Sequence, residues 1–167
     1  MSAPIFVDAN VFVYARDVDD VVRQPLARSW LEWLWQQELG RTSTQVLSEY
    51  YVTVTRKLKP GLPEDQAWDD VEALMQWHPQ PVDRQTMERA RPIQARFRLA
   101  WWDALVVAAA REQGCAVLLT EDLQDGSLID GVRIRNPFKY SIQEASAEPY
   151  EASRPARRGK ATKRAAR

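Results

Sequence analysis

The segment PIFVDAN, residues 4–10, decides the fold, because its short apolar run ends abruptly at a carboxylate. Such a run is typical of a strand buried in a parallel sheet. A second run, AVLL at residues 116–119, ends at TED, residues 120–122, and Val132–Ile134 supplies a third strand. Because helical stretches separate these strands along the chain, the sequence predicts an α/β fold with a parallel sheet.

Five segments between the strands predict helices. They are Gln24–Leu39, Gln45–Leu58, Glu64–Trp77, Arg84–Phe97 and Asp103–Gln113. The fourth contains Pro92, so we expect it to be kinked or split there. The fifth is apolar nearly all round, which indicates a helix buried at the centre of the fold.

Composition divides the chain into one domain, residues 1–145, and a basic tail, residues 146–167. The tail is rich in Ala, Pro, Ser, Arg and Lys without apolar periodicity, which predicts disorder. The formal net charge of the chain is zero, but residues 154–167 hold seven of its 23 Lys and Arg and no acid. Residues 1–153 therefore carry 16 basic and 23 acidic residues, a net charge of −7. An acidic globular body is joined to a cationic tail.

Several classes of chemistry are excluded by residue counts. Cys115 is the only cysteine and His78 the only histidine, so an intrachain disulfide, a zinc set and a pair of catalytic histidines are ruled out. The sequence shows neither a nucleophile motif for a Ser-His-Asp triad nor a phosphate-binding glycine motif. No apolar run reaches the roughly 18–20 residues of a membrane span, and the first residues do not resemble a signal peptide. We therefore expect a cytoplasmic protein.

Four acids next to apolar sequence form the candidate site. Asp8 and Asp122 follow buried strands, beyond whose carboxyl ends open parallel sheets bind ligands. Glu49 lies in an apolar helix, and Asp103 begins the most apolar helix of the chain. All four are expected at the margin of the core, where an isolated charge is costly. If they converge, Mg²⁺ or Mn²⁺ could neutralise them and support phosphodiester hydrolysis.

Each acid also has a purely structural interpretation. Asp8 could cap a turn or a helix, and Asp103 could be the N-cap of its helix. Glu49 could face water, while Asp122 and Asp125 could belong to an ordinary acidic loop. The functional interpretation depends on the combination of the four acids and not on any one of them.

Four blocks, taken in order, resemble the PIN domain of VapC-type toxins. They are FVDANVFVYA (6–15), STQVLSEYYVTVTRKL (43–58), WWDALVVAAA (101–110) and LLTEDLQDG (118–126), followed by NPF (136–138). The resemblance extends from about Pro4 to Phe138. It implies a three-layer α/β fold with a central parallel sheet flanked by helices. It also implies a Mg²⁺- or Mn²⁺-dependent endoribonuclease, usually a homodimer, with a cognate antitoxin protein as partner.

The resemblance assigns roles to individual residues. Its metal-binding and catalytic acids correspond to Asp8, Glu49, Asp103 and Asp122. Asn10 matches the polar residue that helps to order the site, and Asp125 is a candidate outer helper. Which of Glu121, Asp122 and Asp125 reaches the metal stays open. Ala9 stands where many relatives have Thr or Ser.

Contacts to RNA are less firmly indicated. Arg96 and Arg98 before the third acid, and Arg157 and Arg158 in the tail, are candidate phosphate contacts. The pair at 101–102, both Trp, could stack on a base, but packing against a neighbouring helix is favoured. Two helices also carry more aromatic surface than one side of each can bury, a candidate anchor for a partner helix. These aromatic residues are Trp30, Trp33, Trp35, Tyr50 and Tyr51.

Two rival functions differ from metal-dependent RNA cleavage. A Mg²⁺-dependent phosphatase of the haloacid dehalogenase type needs a second Asp two residues after the first, where this chain has Asn10. A catalytically inactive PIN-like module that only binds RNA or protein usually lacks one or more acids, and here all four are present.

Overall fold

A computed structural model describes residues 2–147, so Met1 and residues 148–167 lie outside the described part. Almost all of the predicted tail, with Arg157 and Arg158, falls there. The strands are β1 Ile5–Val7, β2 Gly40–Arg41, β3 Val117–Leu119, β4 Leu128–Ile129 and β5 Val132–Arg135. The helices are α1 Ala9–Tyr14, α2 Arg23–Gln37, α3 Thr44–Val52, α4 Glu64–Leu74, α5 Arg84–Phe97, α6 Trp101–Glu112 and α7 Ile142–Ala147. Within the described part, no helix is long and apolar enough to cross a membrane.

The strands form one sheet in the order β2-β1-β3-β5-β4, parallel except for the β4–β5 pair. From β1 the chain passes to β2 on one side, and β3 then pairs with β1 on the other side. The sheet therefore has a topological switch point between β1 and β3, where parallel sheets bind ligands. The predicted α/β fold, a central parallel sheet flanked by helices, is confirmed.

Helix α6 is buried at the centre of the molecule, as its composition predicts. Its residues 104–110 are all buried, and the helix packs against α5, β3 and β5. The predicted start at Asp103 is wrong, because α6 begins two residues earlier, at Trp101. The N-cap position is held by Ala100, so the interpretation of Asp103 as a cap is also wrong.

Two other predicted helices differ in the structure. The segment predicted as one helix, 45–58, divides into α3 and a π-helical turn, Thr53–Lys57. Helix α5 continues through Pro92 and is not split. Pro92 lies on the exposed side of α5, where water can bond to the carbonyl group that loses its amide partner. The short elements α1, β2 and β4 are too brief to produce a periodic signal.

The predicted aromatic surface is mostly buried. Trp30 and Tyr50 are each 2% exposed, because their polar atoms find partners inside the protein. The indole N–H of Trp30 donates to the carbonyl oxygen of Pro137 at 2.9 Å, and the hydroxyl of Tyr50 donates to Asp70. Trp33 and Tyr51 are half-buried against the core, and Trp35 alone among the five aromatic residues is exposed.

Candidate metal centre

Asp8 lies at the switch point, directly after β1. It is the N-cap of α1, and its Oδ1 accepts a hydrogen bond of 2.7 Å from the Ala9 amide. Its Oδ2 accepts a hydrogen bond of 2.8 Å from the hydroxyl of Thr120, the residue directly after β3. Asp8 is only 6% exposed. The capping interpretation is therefore confirmed, but a cap alone does not explain why this carboxylate is buried beside a second strand end.

Asn10 and Thr120 connect Asp8 to Asp122. The Asn10 side-chain amide donates hydrogen bonds of 3.0 Å both to the Thr120 hydroxyl and to Asp122 Oδ2, and it lies 3.4 Å from Asp8 Oδ2. The Asp122 amide in turn donates to the Thr120 hydroxyl at 3.1 Å. Thr120 is a site residue that the sequence alone did not indicate. It follows β3 directly, and the parallel register that sets Val7 beside Leu119 also places Thr120 beside Asp8.

The other two acids come from α3 and α6. Glu49 is exposed on α3, and Asp103 is half-buried in the first turn of α6. Gln45 joins these helices, because its side-chain amide donates to Glu49 Oε1 at 3.0 Å and to the carbonyl oxygen of Trp102 at 3.3 Å. The expectation that all four acids lie at the core margin is right for Asp8 and Asp103. It is wrong for Glu49 and Asp122, which are exposed.

Two of the acids, Asp122 and Glu49, act electrostatically on the other two, Asp8 and Asp103. Burial raises the pKa of Asp8 to about 7. Hydrogen bonds from Thr120 and Ala9 oppose that rise, whereas the charges of Asp122 and Glu49 add to it. Burial also raises the pKa of Asp103, and the same two acids raise it further. Asp122 and Glu49 therefore lie near enough to Asp8 and to Asp103 for their charges to act on both, and we call these four residues the acid cluster.

The remaining acids of the loop after β3 have other partners. Glu121 accepts a hydrogen bond from the Tyr14 hydroxyl and pairs with Arg23 at 3.4 Å. Asp125 accepts hydrogen bonds from the Asn136 amide at 2.9 Å and the Tyr140 hydroxyl at 2.8 Å. Although burial opposes the shift, these bonds hold the pKa of Asp125 below its usual range. Asp122, bonded to Asn10, is the acid of this loop that joins the cluster.

A cleft of about 1030 Å³ opens beside the cluster. Asn10, Glu49 and Asp122 line its polar part, and Val52 and Trp102 contribute to an apolar wall. Trp102 is 62% exposed, so the prediction that it packs against a neighbouring helix is wrong. Trp101 is half-buried against the core, where that prediction is confirmed.

Arg96 and Arg98 lie at the end of α5. The Arg96 guanidinium is 5.1 Å from the centre of the Phe97 ring, and Arg98 ends the helix in the left-handed conformation. Neither side chain lines the cleft in the described part of the chain. Their contact with phosphate stays a prediction.

The donor set fits a hard divalent cation that keeps much of its water. Within residues 2–147, no three acidic, His or Cys side chains form a group that could hold an ion by themselves. Mg²⁺ usually needs only one or two carboxylates, because waters and substrate phosphates complete its shell. Burial raises the pKa of Asp8, and a bound cation would offset this shift by favouring the charged carboxylate. The residues present therefore fit Mg²⁺ or Mn²⁺.

The chain is similar to known proteins in sequence profile and in fold. The sequence profile of the PIN domain matches residues 5–124. A toxin–antitoxin complex from Klebsiella pneumoniae is similar in structure, with 20% identity, a TM-score of 0.60, and coverage of 84% of this chain and 100% of that one. DNA-bound VapBC from Salmonella typhimurium is also similar, with 16% identity, a TM-score of 0.59, and coverage of 81% and 98%.

A third similar structure is VapC20 of Mycobacterium tuberculosis, a toxin that cleaves the sarcin-ricin loop. It has 21% identity and a TM-score of 0.54, with coverage of 71% of this chain and 89% of that one. A search of curated proteins found no match. At these identities the structures show a shared fold, whereas the profile spans most of the chain. The chain belongs to the PIN domain family.

Proposed function

We propose that this protein is a Mg²⁺- or Mn²⁺-dependent endoribonuclease and the toxin of a type II toxin–antitoxin pair, acting in the cytoplasm. The observation that carries the proposal is the buried Asp8 at the switch point, which Thr120 and Asn10 link through hydrogen bonds to Asp122. Membership of the PIN family supports nuclease activity. The similar structures, which include toxin–antitoxin complexes, support the toxin role.

The chain's residues divide the work of such a site. Asp8, Glu49, Asp103 and Asp122 would hold the cation, which supplies an activated water and stabilises charge on the phosphate. Asn10 and Thr120 orient the carboxylates of Asp8 and Asp122 through hydrogen bonds. The cleft admits the RNA strand to the exposed acids.

Purified protein tests the proposal directly. We expect cleavage of RNA with Mg²⁺ or Mn²⁺ and none with EDTA. Binding without cleavage under both conditions would favour the inactive PIN-like module instead. Phosphatase activity is disfavoured because Asn10, at the position of the required second Asp, is an amide that bonds to Thr120 and Asp122 and has no acidic proton to transfer.

Removing the Asn10 side chain should weaken metal binding. Asn10→Ala deletes the amide that bridges Thr120 and Asp122, leaving the acids less well oriented and their repulsion less screened. Loss of a group that orients metal ligands typically costs about 10–100-fold in metal affinity or activity. We expect the Mg²⁺ concentration for half-maximal cleavage to rise by that order. Gln36→Ala, which removes an exposed amide on α2, is the matched control and should leave the Mg²⁺ requirement unchanged.

The basic tail should collect RNA electrostatically. Truncation after Pro149 removes all seven Lys and Arg of residues 154–167. We expect a higher RNA concentration for half-maximal cleavage, chiefly at low salt, because phosphate neutralisation weakens as salt rises. Cleavage positions should not change. An unaltered salt dependence would show that the tail takes no part in binding RNA.

A homodimer and a cognate antitoxin are the proposed assembly partners. Light scattering on the purified chain tests the first, with twice the mass of the monomer as the expected result. Co-expression in cells tests the second.

A further inference from the structure

If a phosphate of the RNA binds at the acid cluster, the bases on either side of it contact the walls of the cleft. We propose that the indole of Trp102 stacks on a base of single-stranded RNA next to the bond that is cut. This inference rests on the proposed nuclease function and assigns a substrate subsite within the same cleft.

Trp102 combines exposure with a fixed position. Its side chain is 62% exposed, although α6 is otherwise the most buried helix of the fold. The residue directly precedes Asp103, and its carbonyl oxygen accepts a hydrogen bond from Gln45, which also bonds to Glu49. The backbone that carries the indole is therefore held beside two of the four acids. An indole on a fixed backbone has only two side-chain torsions to restrict when a base stacks on it.

Two further apolar side chains line the cleft with Trp102. Val52 and Val82, which line the same cleft, are 48% and 37% exposed. Flat apolar surface beside a charged site suits a nucleobase, whose faces stack on aromatic side chains. A base paired in a duplex has both faces covered, so this wall would bind an unpaired nucleotide. Because every base has a π-face, the contact would tolerate different sequences.

A cation lies farther along the same cleft. Glu49, Thr53 and Lys57 follow one another at intervals of four residues and all line the cleft. Lys57 is exposed and makes no ion pair within the described part of the chain. Lys57 lies eight residues beyond Glu49, along α3 and the π-helical turn that follows it. It can therefore attract a phosphate of the strand other than the one held at the acids.

Kinetics with Trp102→Ala test the stacking contact. Base stacking lost on such a substitution corresponds to a rise in KM of about 5–150-fold, while kcat should change by less than about twofold. Trp102→Phe should restore most of the binding, because Phe retains an aromatic face. The matched control is Trp68→Ala, since Trp68 is 54% exposed on α4 and packs against Tyr51 outside the cleft. Trp102→Ala should melt at the wild-type temperature.

A fluorescent base gives a readout that does not need cleavage. Short single-stranded RNAs carrying 2-aminopurine at successive positions should lose fluorescence at one position on mixing with wild-type protein, before appreciable cleavage. Trp102→Ala should abolish this quenching and Trp68→Ala should preserve it. Quenching without any metal-dependent cleavage would refute the nuclease function but support the subsite.

Three results would overturn the subsite. The first is metal-dependent cleavage in which Trp102→Ala and Trp68→Ala behave alike in both assays. The second is quenching that is equally strong with duplex RNA. The third is that Trp102→Ala leaves both RNA measurements unchanged but no longer co-purifies with a protein partner. That result would assign the apolar wall to the partner.

Discussion

Asp8→Asn is expected to abolish RNA cleavage, lowering kcat/KM by at least about a hundredfold. The acid is the innermost of the cluster and the one most hidden from water. Replacing it removes a negative charge that would hold the cation. Even substitutions of residues that only hydrogen-bond to a metal ligand typically cost about 10–100-fold in metal affinity or activity. Initial cleavage rates across a Mg²⁺ titration measure the effect. Asp103→Asn should produce a loss of the same kind.

The same variant should fold, and without metal it should be more stable than wild type above pH 7. Asn has the shape of Asp, and its amide oxygen can still accept a hydrogen bond from Ala9 or Thr120. The pKa of Asp8 is about 7 in the folded protein against an ordinary value of 3.8, so the folded state binds more protons between these values. Wild-type stability should therefore fall as pH rises through this range, by up to about 4 kcal/mol.

Urea unfolding in EDTA at about pH 5 and about pH 8 separates these effects. The free energy of unfolding of wild type should be lower at the higher pH than at the lower pH. In Asp8→Asn most of this difference should be absent. Asp69→Asn, an exposed acid on α4, is the matched control and should keep both this difference and the cleavage rate. Near-normal Mg²⁺-dependent cleavage by Asp8→Asn would remove Asp8 from the metal site, whatever its stability.

The sequence indicates Asp8 and Asp122 correctly as neighbours because both follow short apolar runs. Parallel strands end at one edge of a sheet, so two such acids are expected to meet there. The register of β1 with β3 confirms this expectation. Thr120 escapes the same argument, because a hydroxyl after a strand is common and carries no charge. Its role appears only when its bonds to Asp8, Asn10 and Asp122 are seen.

The faces of apolar helices are harder to predict. Trp101 and Trp102 are adjacent in a helix that is apolar nearly all round, so periodicity does not reveal which one faces the core. In the structure the first packs inward and the second lines the cleft. Trp30 and Tyr50 show the opposite error. The sequence suggests more aromatic surface than the helices can bury, but both side chains lie inside the fold, where their polar atoms donate hydrogen bonds to Pro137 and Asp70.

Expression of this chain alone is expected to arrest the growth of its host cell. If the chain is the proposed ribonuclease, its site is open in the described residues, since Glu49 and Asp122 are exposed to solvent. Asp8→Asn, expressed to the same level, should permit normal growth, and Asp69→Asn should arrest growth like wild type. Colony counts after induction, together with the amount of intact cellular RNA, measure the effect. Arrest by Asp8→Asn equal to that by wild type would show that toxicity does not arise from cleavage at this site.

Co-expression with a short open reading frame neighbouring the gene in its native genome should restore growth and yield a co-purifying complex. An antitoxin that places an Arg or Lys among the four acids would compete with the cation for the same carboxylates. Inhibition of the purified enzyme should therefore weaken as Mg²⁺ is raised at constant ionic strength, which controls for general screening. Equal inhibition at all Mg²⁺ concentrations would place the antitoxin away from the acids. Harmless expression of an active enzyme, with no partner recovered from its native cell, would contradict the toxin role itself.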